Sequence, residues 1–217
     1  MLKMVNKGEK GYFITLYGVN NLGKTTQALR LVDWLNFNGY RSEYMKYPVY
    51  DLKPTGPAIK KQIKGKNGQT ISEAELQLLF SQNRRDYEPT LIRKLDRGIT
   101  VVAEDYTGTG IAWGLSKGLN RAFLDEINRD LLKENLAILF YGNRFTQAIE
   151  KYHVHENNPE LIDIVCARNH DELGKELGWK RIHANQAADP QKSINKVFNN
   201  LVAIVKREFD INEQLDG

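Results

Sequence analysis

The sequence holds a single cysteine, Cys166. No disulfide can close within the chain, which excludes the stapled, loop-rich folds of small secreted domains. No apolar run approaches the roughly 20 residues that a membrane span needs, and residues 1–10 lack the apolar stretch of a secretory leader. These absences lead to the expectation of a reducing cytoplasm and of no membrane partner. Charge of one sign is scarce as well: 31 Lys and Arg stand against 27 Asp and Glu, a net charge of +4. The small cluster Lys60, Lys61, Lys64 and Lys66 reads as a solvated helix face rather than a nucleic-acid stripe, so no nucleic-acid partner is expected. Repeats and low-complexity linkers are missing too. What is present is ordinary for a globular protein: 217 residues, 41% hydrophobic and 27% charged. That is enough for one α/β domain with a real core.

Against this background one motif stands out. Gly18-Val19-Asn20-Asn21-Leu22-Gly23-Lys24-Thr25 fits the phosphate-binding loop pattern G-x-x-x-x-G-K-[ST]. An apolar, β-rich run at 12–17 precedes it, and a segment with helical spacing at 26–35 follows. Glycines at 18 and 23 let the backbone curl with its N–H groups aimed at phosphate oxygens, and the following helix directs its positive end at the same anion. Lys24 can reach the β- and γ-phosphates, and the Thr25 hydroxyl can ligate Mg²⁺. Gly18, Asn21, Gly23, Lys24, Thr25 and Thr26 are the candidate ATP contacts.

Further strands are expected at 41–47, 99–103, 136–141 and 181–184. Helices are expected at 58–63, from Ser72, at 88–96, at about 120–130, 146–151 and 159–177, and from Pro190 to about Phe209. Residues 107–118 read as a Gly-rich stretch, and 210–217 as a frayed tail. Alternating strands and helices predict a three-layer α/β/α sandwich of the P-loop NTPase kind: a five-stranded parallel sheet with helices on both faces. Ligands on such sheets bind beyond the C-terminal strand ends. The loops after Tyr17, Lys46, Ala103 and Tyr141 should therefore converge.

At the third strand exit, Glu104 can hold Mg²⁺ or accept a proton. Adjacent strand residues point to opposite sides, so only one of Glu104 and Asp105 should face the phosphates, and Glu104 is the first choice. Lys46 ends the second strand, where a cation meets an acceptor phosphate. Arg84 and Arg85 on the following helix can each clamp a phosphate or base edge or stand exposed in an ion pair, and Arg85 reads as the latter. His153 and His155 lack the acids or cysteines of a metal site. Cys166 falls inside a helix, a weak position for a nucleophile.

The chain resembles thymidylate kinases. Five segments carry the likeness: 13–27, Lys46-Tyr47-Pro48 with Thr55-Gly56, Leu79-Phe80-Ser81-Gln82-Asn83-Arg84, 101–113, and Gly174 to Trp179 with 182–185. The resemblance implies ATP- and Mg²⁺-dependent phosphorylation of a deoxynucleoside monophosphate, thymidylate first. It implies that Asn20, Lys46, Phe80, Arg84, Tyr106 and Trp113 meet the acceptor. It implies a lid at about 144–158 that brings Arg144, or Lys151, to the transferred phosphoryl. It also implies homodimers. Two departures stand against it. Asn20 replaces an aspartate that reads a sugar hydroxyl. Glu104-Asp105-Tyr106 replaces Asp-Arg-Tyr, so an anion stands where a cation belongs. Asp105 should therefore turn away from the phosphates or sit on metal. Two rival readings remain: a deoxynucleoside kinase with Glu104 as base, and a nucleotide-binding regulator with degraded catalysis.

Overall fold

The computed structural model describes residues 10–66, 68–145, 158–185 and 189–211. Among these residues five segments form the strands β1 (Phe13–Tyr17), β2 (Ser42–Lys46), β3 (Thr100–Glu104), β4 (Leu136–Tyr141) and β5 (Lys180–His183). All pair in parallel, in the order β2-β3-β1-β4-β5. Every residue of β1 and β3 is buried, as expected of central parallel strands covered on both faces. The edge strands β2 and β5 expose part of theirs.

Among the described residues seven α-helices accompany the strands: α1 (Lys24–Phe37), α2 (Thr55–Lys64), α3 (Glu73–Asp96), α4 (Thr107–Ser116), α5 (Arg121–Asn128), α6 (Ala167–Glu176) and α7 (Pro190–Phe209). α1 packs on β1, β2 and β3 and on α7, which also covers β5. α3, α4 and α6 form the other group, α3 on β3 and α6 on β4. The expected layered sandwich is the observed one. A second apolar cluster, Ile59, Ile63, Leu76 and Phe80, fastens α2 to α3.

Several local expectations need correction. The helices expected from Ser72 and at 88–96 are one 24-residue helix that runs through Pro89. A mid-helix proline removes a hydrogen bond and tends to break the run. Here Leu76, Phe80, Leu91 and Leu95 are buried on both sides of it, and that packing outweighs the break. The start was legible: Ser72 and Glu75 form a reciprocal capping box. The Gly-rich stretch 107–118 is mostly the helix α4. Its glycines sit where α4 is crossed closely. A Cβ at Gly108 or Gly114 would overlap the Trp179 ring or Leu124, and one at Gly110 would lie 2.7 Å from Arg84 Nη2. Ahead of α6, residues Leu161–Cys166 are wound as a π-helix. Ile211, expected in a frayed tail, is buried in the core. The helix expected at 146–151, with Lys151, His153 and His155, lies outside the described residues, as does 212–217.

Candidate active site

β1 ends in the phosphate loop. Gly18 takes φ 124°, Asn21 62° and Gly23 78°, backbone conformations that glycine adopts freely and asparagine tolerates. A Cβ at Gly18 would overlap the Phe140 carbonyl oxygen, so the loop passes β4 only with glycine there. Helix α1 starts at Lys24, with no acidic side chain in its first turn and no side-chain cap. Gly23, Lys24, Thr25 and Thr26 at this helix start line the cavity, and the first-turn N–H groups of a helix have no intrahelical partner. Lys24 Nζ donates to the carbonyl oxygens of Gly18 (2.8 Å) and Val19 (2.9 Å).

The register of the sheet brings the acid to this loop. Glu104 pairs with Leu16 of β1 on one side and Lys46 of β2 on the other. Its side chain is 1% exposed and accepts from three donors: Tyr44 Oη at 2.6 Å, Thr25 Oγ1 at 3.2 Å and Lys46 Nζ at 3.4 Å. Tyr44 and Lys46 are two apart on β2, so both reach Glu104 from one face. Burial, followed by the bond to Glu104, raises the Tyr44 phenol well above its ordinary pKa.

Asp105 does not turn away. The rule of alternation fails because Asp105 takes φ 61°, which swings its side chain to the side Glu104 faces. Its carboxylate lies 3.5 Å from Lys24 Nζ and 3.7 Å from Lys46 Nζ, and accepts from Thr109 Oγ1 at 3.3 Å. Burial works to raise its pKa, but the two ammonium groups outweigh it and hold the carboxyl below the usual range. Reciprocally, burial works to lower Lys46, and Asp105 and Glu104 reverse the sign.

Beyond this cluster opens a cavity of about 590 Å³. Of the expected residues, Asn20, Asn21, Gly23, Lys24, Thr25, Thr26, Lys46, Phe80, Arg84, Glu104 and Trp113 are on its wall. Arg84 is 4% exposed and donates Nη1 to Asn128 Oδ1 at 2.9 Å; its Nε has no partner among the described residues. Burial depresses its guanidinium. Asn83, beside it, holds the loop after β2: it accepts from Val49 N at 2.7 Å and donates to Val49 O and Thr55 Oγ1.

Three expected residues lie off the wall. Gly18 stands behind the loop, shaping it. Tyr106 is in the core, its ring 5.0 Å from those of both Phe13 and Tyr47. The turn at Asp105 carries Tyr106 under the sheet instead of toward a ligand. Arg144 donates Nε to Asn20 O at 3.1 Å and pairs through Nη1 with Asp163 at 3.1 Å, which ties the strand exit after β4 to the phosphate loop. Reasoning from sequence missed Tyr44, Tyr50, Gln77, Thr109 and Phe145, all on the wall. Only Tyr44 had a signal, the two-residue spacing to Lys46.

The donor set suits a hard divalent ion. The Thr25 hydroxyl and Glu104 Oε2 are neighbouring oxygens at the mouth of the loop, and Mg²⁺ commonly takes only one or two protein ligands beside phosphate and water. Among the described residues no three His, Cys, Asp or Glu side chains gather as a closed metal site. No described helix is long and apolar enough to cross a membrane.

The family model for thymidylate kinase matches residues 16–196. The human thymidylate kinase is 32% identical over 187 residues, which cover 83% of this chain and 85% of that protein. The zebrafish (Danio rerio) enzyme is 26% identical over 209 residues, covering 92% and 95%. Among solved structures, thymidylate kinase from Candida albicans superposes with a TM-score of 0.77 at 20% identity, over 95% of this chain and 97% of that one.

Proposed function

The chain belongs to the thymidylate kinase family, and from that premise we propose how its site transfers the terminal phosphoryl group of ATP to thymidylate, giving the diphosphate. The observation that carries the reading is a convergence. The phosphate loop, the buried carboxylate of Glu104 and the cations Lys46 and Arg84 line one cavity.

The backbone N–H groups of the loop and the first turn of α1 cradle the ATP phosphates. Lys24 moves from the Gly18 and Val19 carbonyls to phosphate oxygens. Thr25 and Glu104 would hold Mg²⁺, which neutralises charge on the phosphate oxygens when bound. Phe80 and Trp113 supply apolar walls for the acceptor's base and sugar, Asn20 a hydrogen bond to a sugar hydroxyl, and Arg84 a cation aimed at base or phosphate. Lys46 meets the acceptor phosphate. Arg144 holds the loop through the Asn20 carbonyl and stands where a lid over 144–158 would begin. Catalysis of this kind rests on positioning and charge neutralisation, with no covalent intermediate. A homodimer and a cytoplasmic setting belong to the same proposal.

A coupled ADP-release assay tests it. Turnover with thymidylate and not with thymidine is the expected result. Turnover with thymidine alone would identify a nucleoside kinase, and ATP binding with no turnover a regulator.

A further inference from the structure

Asp105 is a carboxylate built into a phosphate-handling site. Its side chain is 10% exposed and engaged on every side: Oδ1 meets Lys24 Nζ and Thr109 Oγ1, and Oδ2 meets Lys46 Nζ. It stands between the lysine of the phosphate loop and the lysine at the end of β2. An arriving phosphate would draw on the same two ammonium groups. Lys46 is 46% exposed, so its ammonium can swing outward, but two carboxylates already hold it. The cavity wall carries Lys24, Lys46, Lys64 and Arg84 against Glu104 and Asp105, four cations against two anions. With an arginine at 105, the residue the resemblance leads one to expect, the same wall would carry five cations and one anion.

We propose that Asp105 sets the acceptor site's preference between a phosphorylated and an unphosphorylated nucleoside, as a resident anion that competes with the acceptor's phosphate for Lys46. The inference rests on the reading that Lys46 meets the acceptor phosphate. Asp105 acts through Lys46 and is a positioning residue. Its carboxylate withholds Lys46 from an arriving phosphate, so the phosphate of the acceptor contributes less affinity than a wall without that carboxylate would give.

Two substitutions suit the left-handed backbone at this position, Asp105→Asn and Asp105→Gly. Calorimetric titration of thymidylate and of thymidine, each with a non-hydrolysable ATP analogue present, gives the ratio of the two dissociation constants. Removing the charge should raise the preference for thymidylate about tenfold, with thymidine affinity changed by no more than about twofold. In a Lys46→Gln background the gain should shrink at least threefold. In turnover, the improvement should appear in KM for thymidylate rather than in kcat. An unchanged or lowered preference in both variants overturns the proposal, and so does a gain that persists in full without Lys46. Because the ratio is read from binding, it tests Asp105 even if neither acceptor is turned over, the result that would instead sink the proposed activity.

Discussion

Replacing Glu104 by glutamine separates charge from shape at the centre of the site. All three neighbours of the carboxylate donate to it: Tyr44 at 2.6 Å, Thr25 at 3.2 Å and Lys46 at 3.4 Å. An amide has one acceptor oxygen and one donor nitrogen. It can keep its oxygen toward Thr25 and Lys46 and turn its nitrogen to the Tyr44 oxygen, which can accept. No buried group is then left unpaired. The loss is the difference between a charge-assisted and a neutral bond to Tyr44, about 1 kcal/mol. To this adds under about 1 kcal/mol from the pair with Lys46, which water screens. Stability should thus fall by about 1–2 kcal/mol, which lowers the melting temperature by roughly 3–6 °C for a chain of this size. The activity should fall much further. A carboxylate that organises charge beside the transferred group is worth about 10²–10³ in kcat, or roughly 3–4 kcal/mol. Coupled ADP release and thermal melting on the same preparation check both numbers. A Glu104→Gln enzyme that keeps kcat within about threefold of the parent would refute the role given to this residue, because the melt shows whether the site is still folded.

His170 should make the fold sensitive to mild acid. It is 1% exposed, its Nδ1 lies 2.9 Å from the Cys166 carbonyl oxygen and its Nε2 has no partner among the described residues. Burial pulls its pKa down from 6.5 to about 4. Between these values the unfolded chain takes up a proton that the folded chain refuses. The stabilisation is therefore complete above about pH 6.5 and is lost as pH falls toward 4, by about 3 kcal/mol in all and about 2 kcal/mol by pH 5. Denaturant melts at pH 7 and pH 5 should show that drop in the parent and a flatter response in His170→Gln; equal slopes would mean that His170 is not the group that titrates. Gly110→Ala tests Arg84 without touching it. The new methyl would lie 2.7 Å from Nη2 and 3.1 Å from Nη1, so the guanidinium must shift by several tenths of an ångström. KM for thymidylate should rise about tenfold while KM for ATP stays within about twofold, and an unchanged acceptor KM would show that Arg84 does not contact the acceptor.

Much of the fold could be read from short-range patterns. β1 and β3 are wholly buried, and each is dominated by apolar and β-branched residues in the sequence. The capping box at Ser72 and Glu75 marks the start of α3, and Pro190 lies in the first turn of α7. The failures came where tertiary contact overrode a local preference. Two helices are expected where one runs through Pro89, and burial of Leu91 and Leu95 beyond the proline holds it together. Glycines 108, 110 and 114 argued for a loop, yet each marks a place where a side chain from elsewhere presses on α4. Composition carries no record of which neighbour arrives.

The same division runs through the site. The donor half is a continuous segment whose function lies in its own backbone, so Gly18 through Thr26 could be named from spacing alone. The proposed acceptor half is assembled from β2, α3, β3 and α4. One dihedral angle decides its character: at φ 61° Asp105 faces Lys24 and Lys46, whereas extended backbone there would have sent it to the opposite side and Tyr106 into the cavity. Aspartate is among the residue types that tolerate this conformation, which makes the turn compatible with the sequence without announcing it. The charge argument, that an anion should avoid a phosphate site, assumed cations with no anion of their own. Lys46 has two, Glu104 and Asp105. A buried carboxylate between two ammonium groups is stabilised by them, so the fold accepts Asp105 readily, and the cost appears only when a phosphate competes for the same partners. Stability of the free protein and affinity for the acceptor thus pull in opposite directions at this residue, which is why relieving one should be visible in the other.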